Sequence, residues 1–168
     1  MKRIEFFILA GMVFLGACGY HLEGGGYVNK DITRLSVAVF ENRTSETRAG
    51  ISFTNQLIRE IQQKTDTIVV DSGKASRKIV GTVNSITFSA LARTSTEKVV
   101  ERQVTALVDV QLVGSDGKII WSVKNLSASE SYTVASDTVN DEANKRVAVD
   151  KIAQRCSERI VSQMMANF

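Results

Sequence analysis

The chain has 168 residues, of which 43% are apolar and 23% charged, with a formal net charge of +3. That length is enough to bury a real core, and the composition is that of an ordinary water-soluble domain, which excludes a disordered or collagen-like chain. So small a charge leaves no electrostatic footprint for nucleic acid, and none is expected as a partner.

Lys2 and Arg3 precede an apolar run from Phe6 to Leu15. That run suits the core of a signal peptide and falls short of the roughly 20 residues that cross a bilayer as a helix. Leu15-Gly16-Ala17-Cys18 follows, with small residues ahead of a cysteine. It resembles a lipobox, in which the cysteine thiol is acylated and the preceding segment is removed. The expected organisation is a lipoprotein signal peptide at 1–17, a lipidated N-terminus with a Gly-rich tether at 18–30, and a single α+β periplasmic domain at 31–168. Cys18 is the expected lipid attachment, and several acyl chains are implied, because one alone anchors only marginally. Gly19 stands where similar lipoproteins carry an inner-membrane retention aspartate, which implies the outer membrane. Removing Lys2, Arg3 and Glu5 from 21 basic and 18 acidic residues leaves a mature charge of +2.

The first expected strand is Leu35 to Phe40, entering a turn at Glu41 to Thr44. Ile51, Phe53, Leu57, Ile58 and Ile61 recur at helical spacing, which predicts a helix from Arg48 to Lys64 capped by Thr44, Ser45 or Thr47. Thr67 to Asp71 reads as a short strand. Arg77 to Arg93 alternates, but its phase slips between Val83 and Ile86, as a bulge near Asn84-Ser85 would produce. Val99 to Val113 alternates through Val104, Ala106, Val108, Val110 and Leu112, with Thr105, Asp109 and Gln111 on a wetter face. Asp116-Gly117 favours a tight hairpin, and the return strand, Lys118 to Val134, slips near Asn125. The last element is a helix from Asp137 or Thr138 to Met165, with Ala143, Val147, Ala153, Cys156, Ile160 and Met164 along one face. These elements predict an α+β two-layer sandwich, with two helices on one face of a mixed or antiparallel sheet of about four strands. The chain has no proline, so its turns rest on Gly, Asn, Asp and Ser.

No constellation for catalysis emerges. His21 is the only histidine, and it sits at a tether that cannot pre-organise a reacting group. Ser72-Gly73-Lys74-Ala75 lacks the earlier glycine and the magnesium-binding hydroxyl of a phosphate loop. No cysteine pair has metal-ligand spacing. With Cys18 acylated, Cys156 lacks a disulfide partner and reads as a small core residue. No catalytic residue, metal or cofactor is expected. From Arg77 to Arg102 the local charge is +3 (Arg77, Lys78, Arg93, Lys98 and Arg102 against Glu97 and Glu101). Arg93 to Lys98 is the tip of that hairpin. A basic tip suits an anionic group such as a lipid phosphate, and equally a solubilising edge that blocks strand aggregation.

Cys18-Gly19-Tyr20-His21-Leu22, Val37 to Thr44, Phe53 to Glu60, Gly81-Thr82-Val83, Val104 to Leu112 and Gly117 to Ser122, followed by the amphipathic helix, form an ordered set from Cys18 nearly to the end. This set resembles the LPS-assembly lipoprotein LptE family. The resemblance implies a two-layer sandwich seated inside the outer-membrane β-barrel LptD, helping that barrel to assemble and to deliver lipopolysaccharide to the cell surface. It implies direct lipopolysaccharide contact through basic residues near a strand connection, for which Arg93 and Lys98 are the candidates here. Val37 to Thr44 is also similar to the opening of curli-secretion and penicillin-binding-protein-activator lipoproteins, which remain the alternative.

Overall fold

The computed structural model describes residues 26–28, 31–96 and 98–167; the expected signal peptide, Cys18 and His21 lie outside them. The elements in chain order are β1 (Arg34–Val37), β2 (Glu41–Asn42), α1 (Ala49–Lys64), β3 (Ile68–Val69), β4 (Arg77–Arg93), β5 (Val99–Gly114), β6 (Ile119–Thr133) and α2 (Thr138–Ala166). One mixed six-stranded sheet runs in the order β3-β1-β4-β5-β6, with β2 also paired to β4. The α+β sandwich therefore has more strands than the four expected. One two-residue strand, β3, lies inside the short strand expected at Thr67 to Asp71, and the other, β2, forms where a turn was expected, at Glu41–Asn42.

The expected strand Leu35 to Phe40 is split. β1 pairs parallel with β4 from Leu35↔Arg77 to Val37↔Ile79, and pairing resumes at Glu41↔Thr82 in β2. Between them the chain turns inward at Phe40. The Phe40 amide donates to Thr54 Oγ1 at 2.9 Å, and that hydroxyl donates to the Gly50 carbonyl at 2.7 Å. The buried Phe40 ring lies directly over Gly81, where a β-carbon would overlap it. A second close approach brings the Phe40 carbonyl to the helix at Gly50, 2.5 Å from where a β-carbon would stand. These two glycines let a strand and a helix close on one aromatic ring.

The long strands behave as their phases imply. The register of β4 on β5 shifts between Val83 and Ser85, so the extra residue is Asn84, and Ile79, Val83 and Ile86 all stay buried. The β5–β6 register jumps from Val108↔Leu126 to Val110↔Val123. There Asn125 adopts a left-handed φ of 53°, a conformation asparagine tolerates better than most residues. The Asn125 amide is held by Asp109 Oδ1 at 2.7 Å. Gly117 takes φ 80° in the β5–β6 turn. Its neighbour Asp116 accepts from the Lys118 amide at 3.1 Å.

Both helices cover the same sheet face. Phe53, Leu57 and Ile61 of α1 and Ile152, Ala153, Cys156, Ile160 and Met164 of α2 close over Val104, Ala106, Val108, Val110 and Leu112. Glu46 meets Lys145 and Ser52 meets Asp150, so the contacts advance together and the helices run parallel. Two helix-end details differ from expectation. α1 is preceded by Arg48 with no side-chain cap, because Thr44 is engaged with Asn42 and Glu46 in the preceding turn. In α2, Asp137 caps as expected, accepting from the Asn140 amide, but Ala143 and Val147 are exposed. Full burial begins at Ala148, and the half-buried Asp141 and Lys145 continue that face toward the helix start, so Ala143 and Val147 lie off the covered stripe.

Candidate functional site at the hairpin end

β4 and β5 carry the sheet beyond the helix layer. An aromatic step marks that end of the helix-facing side of the sheet. Phe88 and Tyr132 meet edge-to-face with centroids 6.5 Å apart, and Lys145 Nζ stands 5.0 Å above the Phe88 ring. Lys145 also pairs with Glu46 Oε1 at 2.7 Å and approaches Glu142 at 3.7 Å. The hydrogen bond that Lys145 donates to Glu46 raises its pKa above the ordinary value against the opposing effect of burial, with further attraction from Glu46 and Glu142. One ammonium thus ties the β2–α1 connection to α2 and to the sheet. Spacing could not reveal it, because Glu46, Phe88 and Lys145 are far apart in sequence.

Past that step the hairpin projects. Leu91 is exposed, and Arg93 pairs with Val99 across the ladder. The loop closes through the Thr94 amide to the Lys98 carbonyl at 2.8 Å and the Lys98 amide to Thr94 Oγ1 at 3.2 Å. This geometry brings the two sequence-selected residues, Arg93 and Lys98, to the same loop mouth, both exposed. Arg102 opposes Ala90 on one side and Tyr132 on the other and is half-buried, so the basic character continues down β5. The arrangement offers charge to an anion and no nucleophile–base pair.

The sheet face away from the helices is mostly polar, interrupted by Val80, Leu107 and Val113. It carries Thr82, Thr87 and Ser89 on β4, Gln103, Thr105, Asp109 and Gln111 on β5, and Ser127, Ser129 and Ser131 on β6. Thr105 and Ser129 share a hydrogen bond at 2.9 Å. The outer edge of β6 is occupied. Arg155 donates to the Ser129 carbonyl at 2.8 Å and Arg159 to the Ser127 carbonyl at 2.5 Å, which removes two free acceptors from an exposed strand. Arg155 also pairs with Glu130, alongside Lys151.

Among the described residues no group of three His, Cys, Asp or Glu side chains could hold a metal ion, and no helix is long and apolar enough to cross a membrane. Cys156 is fully buried, and burial pushes its thiol up to about 12. It is a packing residue, as its helical position suggests.

A family model described as LptE, lipopolysaccharide-assembly, matches residues 32–164. The chain belongs to the LptE family. The match takes in β1 through nearly all of α2, so the whole sandwich is the family domain. Solved structures of similar fold include a lipoprotein B from Nitrosomonas europaea, 16% identical with a TM-score of 0.59, covering 89% of this chain and 92% of that one. A lipoprotein from Caulobacter crescentus is 17% identical with a TM-score of 0.56, over 76% and 89% of the two chains. The rare lipoprotein B from Shewanella oneidensis is 13% identical with a TM-score of 0.54, over 80% and 95%. At these identities the likeness is one of fold. No curated protein sequence matches the chain.

Proposed function

We propose that this LptE-family chain is an outer-membrane lipoprotein that plugs the LptD β-barrel, assists its assembly and serves lipopolysaccharide delivery to the cell surface. The carrying observation is the family match across residues 32–164, the whole sandwich. The sandwich suits the role physically. A wide barrel lumen is polar, and the uncovered sheet face offers hydroxyls and amides to such a wall. Cys18 carries the lipid that holds the domain at the inner leaflet, which raises its effective concentration near a barrel in the same membrane. Arg93 and Lys98, at the projecting hairpin mouth, contact lipopolysaccharide phosphate. The role requires no covalent chemistry, metal or cofactor.

Purification of the tagged full chain from native membranes in mild detergent tests the reading. Stoichiometric recovery with one large β-barrel, lost on mild denaturation of this chain, is expected. Recovery with a secretion pore or a cell-wall synthase instead would transfer the chain to the other envelope-lipoprotein classes. Fatty-acid labelling of wild type and Cys18→Ser tests the anchor, and equal label in both would remove it.

A further inference from the structure

A second candidate binding surface lies on the solvent side of the helix layer, away from the hairpin. The valley between the parallel helices α1 and α2 encloses about 400 Å³. Its rim on α1 is Arg48, Ile51, Asn55 and Arg59, and its rim on α2 is Glu142 and Arg146. The floor is Val149 and the Ser52–Asp150 hydrogen bond of 2.5 Å.

The charges in this valley are unevenly satisfied. Glu46 and Glu142 are taken by Lys145, and Asp150 accepts from Ser52. The three arginines are not so engaged. Among the described residues Arg48 and Arg146 have no ion pair or side-chain hydrogen bond, and Arg59 has only a 3.4 Å contact to Gln56 Oε1. Counting Lys145, the valley holds four cations against Glu46, Glu142 and Asp150, a net charge of +1, and the three guanidiniums are the cations left without an ion pair among the described residues.

Their spacing narrows the occupant. Arg48 and Arg146 stand at the Glu46–Lys145 end of the valley. Arg59 lies eleven residues further along α1, roughly 16 Å away at helical rise. A single phosphate cannot meet both ends, and a flat lipid surface does not enter a valley. An extended polypeptide covers that distance in about five residues. The side-chain amides of Asn55 and Gln56 between the arginines suit its backbone, and Ile51, 55% exposed, offers an apolar contact midway. Arginine meets a carboxylate through two parallel N–H donors, which fixes orientation as well as charge.

We propose that the α1–α2 valley is a docking groove for an acidic, extended segment of a partner protein, with one carboxylate between Arg48 and Arg146 and a second, about five residues on, at Arg59. The proposal rests on the valley alone and stands or falls separately from the barrel-plug reading.

The test uses the full chain in non-ionic detergent and a fluorescein-labelled peptide with two glutamates separated by four Ser, Thr or Val residues. Anisotropy is expected to show saturable binding that weakens about tenfold when both glutamates become glutamine, as loss of charge-assisted bonds requires. The paired variant Arg48→Gln/Arg146→Gln and the single variant Arg59→Gln each remove one of the two contacts and should each weaken it about threefold. All three positions are exposed, so an unchanged circular dichroism melt is expected to accompany the loss. Equal binding by the glutamine peptide, or by the arginine variants, would overturn the proposal. So would displacement of the peptide by anionic phospholipid vesicles but not by excess unlabelled peptide, which would make the valley a membrane contact.

Discussion

Gly81→Ala is expected to destabilise the domain severely although it adds one methyl group. The β-carbon would overlap the Cε2, Cζ and Cδ2 atoms of Phe40. The ring has little room to retreat: it is 3% exposed, its amide is fixed on Thr54 Oγ1, and its carbonyl is packed on Gly50. Relief means lifting the ring or spreading β4 from the β1–β2 connection. Overpacking of this kind costs about 1–3 kcal/mol, and expelling a buried Phe about 3–5 kcal/mol. A loss of about 3 kcal/mol is therefore expected, or roughly 10 °C in melting temperature for a domain of this size. Trp121 is the only tryptophan and packs against the core, so its fluorescence reports urea unfolding. The decisive measurement is a double-mutant cycle. Phe40→Ala alone should cost about 3–5 kcal/mol by cavity formation. In that background the methyl of Gly81→Ala has space and should cost under about 1 kcal/mol, a coupling of 2 kcal/mol or more. Additive losses would refute the steric account and leave strand propensity or flexibility as the role of Gly81.

Lys145→Met should reduce stability by about 1–3 kcal/mol, because it leaves Glu46, whose side chain is only 23% exposed, without its cation. The folded-state pKa of Lys145 is raised, so its contribution is fully present below the ordinary lysine value and lost as pH rises through the folded value. Urea midpoints measured from neutral pH to above pH 10.5 should fall more steeply in wild type than in Lys145→Met, and parallel curves would dismiss the pairing. Cys156 should resist thiol reagents at neutral pH in the folded chain and react on unfolding, given a pKa pushed up to about 12; rapid labelling of native protein would contradict its burial. Charge reversal at Arg93 and Lys98 should weaken lipopolysaccharide binding without moving the urea midpoint, whereas unaltered binding would leave the hairpin tip as a solubilising edge. Asn125→Val should cost about 1–2 kcal/mol through the left-handed backbone it must adopt, and Asn125→Gly much less; equal losses would shift the explanation to the asparagine side chain.

Much of the fold was legible because periodicity is local. The alternation from Val104 to Leu112 assigned the buried face of β5 correctly, and both phase slips marked real register shifts. The hairpin mouth was legible too, since Arg93 and Lys98 flank one short loop. The split of Leu35–Phe40 was not legible. Those six residues have strand propensity throughout, and what removes Phe40 from the ladder is a glycine forty-one positions away. The exposure of Ala143 and Val147 escaped because steps of three to six residues do not hold one helix face: the covered stripe of α2 runs through Lys145, Val149, Ile152 and Cys156, and Ala143 and Val147 lie off it.

By itself the sequence determined which residues alternate, where strands slip and turn, and that the described domain would be a two-layer α+β sandwich with a basic hairpin tip. Those features depend on neighbours within a few residues. Only the tertiary structure decided that Lys145 would sit on Phe88 and Glu46, that Arg155 and Arg159 would close the β6 edge, and that Arg48, Arg59 and Arg146 would line one valley. Each depends on two parallel helices being brought side by side on one sheet face. That registry is set by the summed burial of the whole core, which no local pattern records.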